Sequence, residues 1–423
     1  MEPIPQQAPS DLHPPVPEEV ARLAGLPEVR RAFDSFRAQE SQFALWQIEA
    51  TRVAAPPFGE AARGLWLAER FRELGLIDVQ VDEVGNVFGI RPGHGSRYVA
   101  LSAHIDTVFP AATPLHIRQQ GSRLYGPGVA DNGAGIAAML AVASALASAR
   151  IAHELPFLFI GNVGEEGEGD LRGMRHVFAT PRWRDAIAYS VIVDGAGTDT
   201  VVAEALGSRR FEVIVRGPGG HSWSDFGAPN PIIALARAIE VFSQTPVPAS
   251  PKTTFNVGVI RGGTSVNSIP ESASMRVDLR STSMAEIDRL ERMLRLGLEQ
   301  AVALENRAAA QRENRRPPQP PSRMLQSEVL EIGNRPAGEL AADARLLKVI
   351  RAVDAQLGNN AQVQRASTDA NIPLSLGREA IAIGGGGTGG GSHTLQEWFD
   401  CNGRGLGLRR ILLTLLALSG VEE

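Results

Sequence analysis

At 423 residues the chain exceeds one ordinary domain, and at roughly 150 residues per domain it divides into two or three units. Its 43% apolar and 21% charged content is that of a folded globular protein, which excludes bulk disorder and a fibrous architecture. The formal charge of -5, from 42 basic and 47 acidic residues, excludes the positive balance of a general nucleic-acid binder.

Residues 1–17 are rich in Pro and Gln and read as a loose arm; Met1-Glu2-Pro3-Ile4-Pro5-Gln6 has neither the basic region nor the apolar core of a secretory leader. Residues 18–75 carry helical apolar spacing through Val29, Phe33, Phe36, Leu65, Leu67, Phe71 and Leu74, with Gly75 as the stop. Short β-rich or apolar runs at 79–90, 98–102, 156–161 and 189–193 then alternate with a helix through 136–146. Strand, helix, strand in this order predicts an α/β layer with a largely parallel sheet, whose sites form at the carboxyl ends of the strands. From about Ser208 the texture changes to strands at 211–215, 253–260 and 273–279 with helices at 231–242 and 284–304, a separate α+β unit. The polar, Pro-rich stretch 305–323 reads as a solvated loop or a helix extension, and 328–332 as the last strand of this unit.

From about Glu339 a helix through 346–357, a strand at 380–383 and a terminal amphipathic helix return to the first texture. The expected fold class is therefore α/β: a domain with a mostly parallel central sheet flanked by helices, formed by 1–207 and 338–423, interrupted by an inserted α+β domain at 208–337. The apolar run 411–418 is less than half of a bilayer span, so no membrane segment is expected. A single cysteine, Cys401, makes an intrachain disulfide impossible and points to a reducing cytoplasm.

Polar clusters follow the apolar runs. His104 and Asp106, two apart in Ser102-Ala103-His104-Ile105-Asp106-Thr107, share one side of an extended chain. Gly126-Pro127-Gly128-Val129-Ala130-Asp131-Asn132-Gly133 leads into a helix; it follows no clear strand and has an aspartate at its centre, which would repel the pyrophosphate of a dinucleotide. Gly164-Glu165-Glu166-Gly167 ends the strand before it, and adjacent extended side chains diverge, so one carboxylate can bind a metal while its neighbour faces a water. Asp194 ends another strand, and seven glycines in the eight positions 384–391 lead to His393. Two imidazoles and three or more carboxylates at one sheet edge are the ligand set of a dinuclear divalent-metal site, with zinc favoured.

This ordered set resembles the dizinc metallopeptidase family of aminoacylase-1, carboxypeptidase G-type glutamate carboxypeptidase, peptidase T and succinyl-diaminopimelate desuccinylase, over nearly the whole chain after residue 40. The resemblance implies that His104 and Asp194 complete the shell of the first metal, that Glu166 and His393 complete that of the second, and that Asp131 bridges both, preceding a cis peptide to Asn132. It implies Asp106 as the group orienting His104 and Glu165 as the general base. It also implies that His221, in Gly217-Pro218-Gly219-Gly220-His221-Ser222 of the inserted dimerisation or lid domain, binds the oxyanion across a homodimer. Asn267 and Arg280 resemble substrate-holding elements, and read equally well as a turn residue and a strand-end surface arginine. The segment Ser367-Thr368-Asp369-Ala370-Asn371 resembles another part of the family pattern and carries no assigned role.

Two dications less the charges of Asp131, Glu166 and Asp194 leave one positive charge, which a metal-bridging hydroxide cancels, and metal binding lowers the pKa of a water to about 7. The expected cofactors are two zinc ions per chain, with cobalt or manganese as substitutes. The expected activity is hydrolysis of the amide bond of small peptides; Asp194, where desuccinylase-like members carry Glu, favours a peptidase over the alternative of an N-acyl amino acid deacylase. A non-catalytic metal-binding protein is the alternative of another class, and the presence of Glu165 beside five expected ligands argues against it. Expected partners are a small peptide or N-acyl amino acid and a second copy of the chain, without nucleic acid or membrane.

Overall fold

The computed structural model describes residues 15–313 and 324–421. The readings of residues 1–14 and 314–323 as arm and loop lie outside them. Val16 already starts the first helix, Val16–Gly25, and 305–313 extend the helix Met284–Glu313. The chain divides into two compact units, one of Met1–Glu204 with Glu339–Glu423, the other Ala205–Gly338.

The first unit is built on a sheet whose strands lie in the spatial order Ile77–Val81, Val87–Arg91, Phe157–Asn162, Tyr98–His104, Ile187–Val193, Glu379–Ile383, Thr200–Ala205 and Gly338–Glu339, with Gln362–Ala366 beside Thr200–Ala205. The four central strands, from Phe157–Asn162 to Glu379–Ile383, run parallel, and the sheet turns antiparallel at both edges. Central strands are buried along nearly their whole length, Phe157–Asn162 at every position, which is why they read as unbroken apolar runs rather than alternating ones. In the paired register His104 faces Asn162 and Val193 faces Ile383. The residues that follow these four strands therefore meet at one edge.

Four helices, Val16–Gly25, Pro27–Ala38, Glu40–Arg52 and Ala61–Glu73, precede the sheet. The helix Gly133–Ala149 is alanine-rich and buried on almost every face, so its small side chains let helices and sheet approach on all sides. The last helix, Arg404–Ser419, departs from the expected amphipathic pattern because it too is enclosed: every residue from Arg410 to Ser419 is buried. Its Arg410 is fully buried and bidentate to Asp354 at 2.7 and 2.8 Å, so the charges that suggested a solvated face are neutralised inside.

The second unit packs the helices Pro231–Ser243 and Met284–Glu313 on a four-stranded antiparallel sheet in the order Thr253–Gly262, Ser272–Ser281, Gly207–Arg216, Gln326–Arg335. Alternate residues of Ser272–Ser281 are buried, Ala273, Met275, Val277 and Leu279 facing the helices. Asn230 caps the first helix, its Oδ1 accepting from the backbone N–H of Ile232 at 2.9 Å.

Candidate metal centre

The four parallel strands and the loops after them assemble two clusters. His104, Asp131 and Asp194 form one, Asp131, Glu166 and His393 the other, with one ligand atom from each residue within 4.8 Å of the rest. His104 Nε2 lies 3.1 Å from Asp131 Oδ1 and 3.8 Å from Asp194 Oδ1. His393 Nε2 lies 3.2 Å from Asp131 Oδ2 and 2.9 Å from Glu166 Oε1. The two oxygens of Asp131 thus face different clusters. Zinc bonds of roughly 2.0–2.2 Å at tetrahedral angles separate ligand atoms by about 3.4 Å, and these separations bracket that value.

The electrostatics point the same way. Burial alone would lower the pKa of His104, yet the carboxylates of Asp106, Asp131 and Asp194 hold it well above the ordinary value. His393 is pushed up to about 9, chiefly by its hydrogen bond to Asp131. Burial and the neighbouring Asp131 charge raise Glu166, whereas burial's upward push on Asp131 is outweighed by the two imidazoles, which lower it. Three carboxylates converge on imidazoles alone, so both imidazoles are driven toward the cation. Two divalent metals fit this donor set, because they would supply the positive charge that the carboxylates demand.

Each side chain is held by the local fold. His104 Nδ1–H donates to the backbone oxygen of Asp106 at 3.2 Å, turning Nε2 toward Asp131. Asp106 is fully buried and its carboxylate accepts the backbone N–H groups of Glu165 at 3.0 Å and Glu166 at 2.8 Å, so it fixes the turn carrying both glutamates. Glu165 is buried beside Glu166 and belongs to neither cluster. The peptide bond between Asp131 and Asn132 is cis. In the glycine run, Gly386 has φ +89°, and a Cβ there would come within 2.5 Å of the Arg404 carbonyl, so only glycine fits this turn. His393 itself has φ +64°, the left-handed region that non-glycine residues seldom occupy. A cavity of about 610 Å³ opens beside Asp131 and Asp194 and is lined by Gly195, Thr198, Asp199, Thr388 and Ser392 among others, a size ordinary for small-molecule sites.

The remaining sequence candidates lie in the second unit. His221 and Asn267 come together on a two-stranded ribbon: His221 pairs with Ser268, and the Ser222 N–H donates to the Asn267 carbonyl at 2.9 Å. His221 is exposed, and its Nδ1 accepts the Trp223 N–H at 3.1 Å. Arg280 is not brought to this ribbon. It lies toward the far end of the strand Ser272–Ser281, beside Ser208 and Thr254, with Nε donating to Asp278 at 2.6 Å.

Several supporting residues escaped the reading by motif. Asn132 Oδ1 accepts from Gly135 N and Gly195 N while Nδ2 donates to the Val193 carbonyl at 2.9 Å, tying the Asp131 loop to the strand end before Asp194. Arg63, fully buried, donates to the Ile105 carbonyl at 2.8 Å between His104 and Asp106. Asp369, which the sequence left without a role, is buried against Asn162 Nδ2 at 2.6 Å, and burial pushes its carboxyl up to about 7. Glu397 accepts three backbone N–H groups from the Asp131 loop. The position of Asn132 directly after Asp131 and that of Glu397 four residues after His393 were the only signals available.

A profile of the peptidase family M20/M25/M40 matches residues 100–415. The chain belongs to this family. A probable carboxypeptidase of Aspergillus clavatus is 32% identical to this family member over 208 residues, 44% of the chain and 45% of the relative. The chain spans about half the length of the curated relatives it matches. Among solved structures, aminopeptidase PepT of Bacillus cereus superposes with a TM-score of 0.70 at 19% identity, covering 90% of this chain and 98% of that one. A dinuclear metal-binding peptidase of Bacillus subtilis gives 0.63 at 15% identity, covering 91% and 100%. Both share the fold of this family member. Among the described residues no helix is long and apolar enough to cross a membrane.

Proposed function

We propose that the protein is a metal-dependent peptidase that hydrolyses the amide bond of small peptides. The observation that carries this reading is Asp131, whose two carboxylate oxygens face two separate histidine–carboxylate clusters. His104, Asp131 and Asp194 would hold one divalent cation and Asp131, Glu166 and His393 the other; zinc suits this nitrogen and oxygen set, with cobalt or manganese able to replace it. When bound, such cations polarise a carbonyl and lower the pKa of water toward about 7. Glu165, outside both clusters, takes the proton of the attacking water on its carboxylate and returns it to the leaving nitrogen. Asp106 keeps that carboxylate in position through the backbone of residues 165 and 166 and orients His104.

His221 is proposed as the oxyanion donor, supplied from a partner subunit, and Asn267 as a contact to the substrate backbone. A homodimer through the 205–338 unit is supported by its edge strand Thr253–Gly262, where Ile260 is 57% exposed, and by Ile232 and Ile233 exposed on the helix Pro231–Ser243. Such an unpaired edge with apolar neighbours invites a second copy. The test is removal of metal by a chelator, return of one metal at a time, and assay on dipeptides, tripeptides and N-acetyl amino acids. Metal-dependent cleavage of free peptides is the expected result. Turnover confined to N-acetyl amino acids would replace the peptidase reading with a deacylase, and unchanged turnover in the metal-free protein would overturn both.

A further inference from the structure

The two loops that carry Asp131 and His393 are far apart in sequence and joined by one side chain. Glu397 is fully buried. Its Oε2 accepts the Gly128 N–H at 2.6 Å, and its Oε1 accepts those of Ala130 at 2.8 Å and Asp131 at 2.7 Å. Its backbone oxygen accepts the Gly126 N–H at 2.9 Å, and the next residue, Trp398, pairs with Tyr125. The Val129 N–H is taken up within the loop by the Gly126 carbonyl at 3.3 Å, and the Val129 carbonyl by Gln47 Nε2 at 2.5 Å. Glu397 thus gathers three consecutive-side donors of the Asp131 loop, and it stands four residues beyond His393 on the other.

We propose that Glu397 is a positioning residue that sets Asp131 and His393 against each other and thereby tunes the second metal position more than the first. The asymmetry follows from where the ligands sit. In the cluster Asp131, Glu166, His393, two of three donors lie on the segments that Glu397 joins. In the cluster His104, Asp131, Asp194, only Asp131 does; the other two end central strands and are tied by Asn132. An ionised carboxylate suits the task because three N–H donors converge on its two oxygens, and an amide would turn an NH₂ group against one of them.

The inference rests on the reading of Asp131 and His393 as ligands. The test is titration of zinc into the metal-free full-length protein by chelator competition, for wild type, Glu397→Gln, Glu397→Asp, His393→Ala and Asp131→Ala, with circular dichroism to verify folding. In Glu397→Gln we expect the weaker of two zinc affinities to fall about 10- to 100-fold, as for other groups that orient ligands, with the tighter one changed far less. Activity should recover as zinc is raised, and Glu397→Asp, which keeps the carboxylate, should fall between the two; it also serves if the Gln variant does not fold. Wild-type affinity at both positions in a folded Glu397→Gln protein, or equal loss at both, overturns the proposal. If His393→Ala and Asp131→Ala lose zinc while Glu397→Gln does not, only the role of Glu397 fails. If they keep two zinc ions, the ligand reading itself fails.

Discussion

The sheet edge of the first unit and the ribbon of the second present their polar groups in opposite ways. His104, Asp106, Glu165 and Glu166 are all buried, each held by backbone bonds or by another side chain. His221 and Asn267 sit on an exposed ribbon of two paired residues a side, next to Trp223 at 86% exposure. Groups that must keep sub-ångström spacing toward a metal are built on strand ends, and groups that meet a substrate stand on a small, solvated element. Rigid placement and adaptable contact are thereby divided between two regions.

The most severe break in this comparison is Asp131→Ala. Both clusters lose a donor, so metal content measured by atomic absorption should fall below two per chain and peptide hydrolysis should become undetectable. Glu165→Ala comes next: turnover should drop about 10²- to 10⁴-fold while metal content stays at two, because the side chain belongs to neither cluster. Full activity in that variant would remove Glu165 from the chemistry. For the ribbon, His221→Ala should lower kcat by about 10²- to 10³-fold, the range for loss of an oxyanion donor, without loss of metal. Mixing inactive His221→Ala and Glu165→Ala chains should restore partial activity; the absence of any recovery would show that His221 does not act across subunits. The smallest effect belongs to Arg280→Ala, since its guanidinium is engaged by Asp278 on the same strand. Stability should change by about 0.5 kcal/mol or less and kcat/KM should stay near wild type, whereas a large rise in KM would restore the reading of Arg280 as a carboxylate fork.

The same division explains what could be read from the sequence. Each clustered residue follows an apolar run or a glycine turn, so His104, Asp131, Glu166, Asp194 and His393 stand out before any coordinates do. The enclosed last helix did not, because Arg404 and Arg410 look like solvated charges until Asp354, more than fifty residues away, is brought against the latter. Glu397 was invisible for a different reason: its partners are backbone N–H groups, which every residue but proline possesses, and no side-chain pattern announces them. Arg280 was overread because a strand-end position in sequence does not reveal which residues flank it in the sheet.

The strand Glu379–Ile383 lies between Ile187–Val193 and Thr200–Ala205, two neighbours synthesised almost two hundred residues earlier. During translation the sheet must therefore keep a slot open at its middle until the ribosome has delivered nearly the whole polypeptide. A message cut short anywhere before that strand yields a product with a gap beside Asp194 and no His393, so the fold acts as its own proofreader of full-length synthesis.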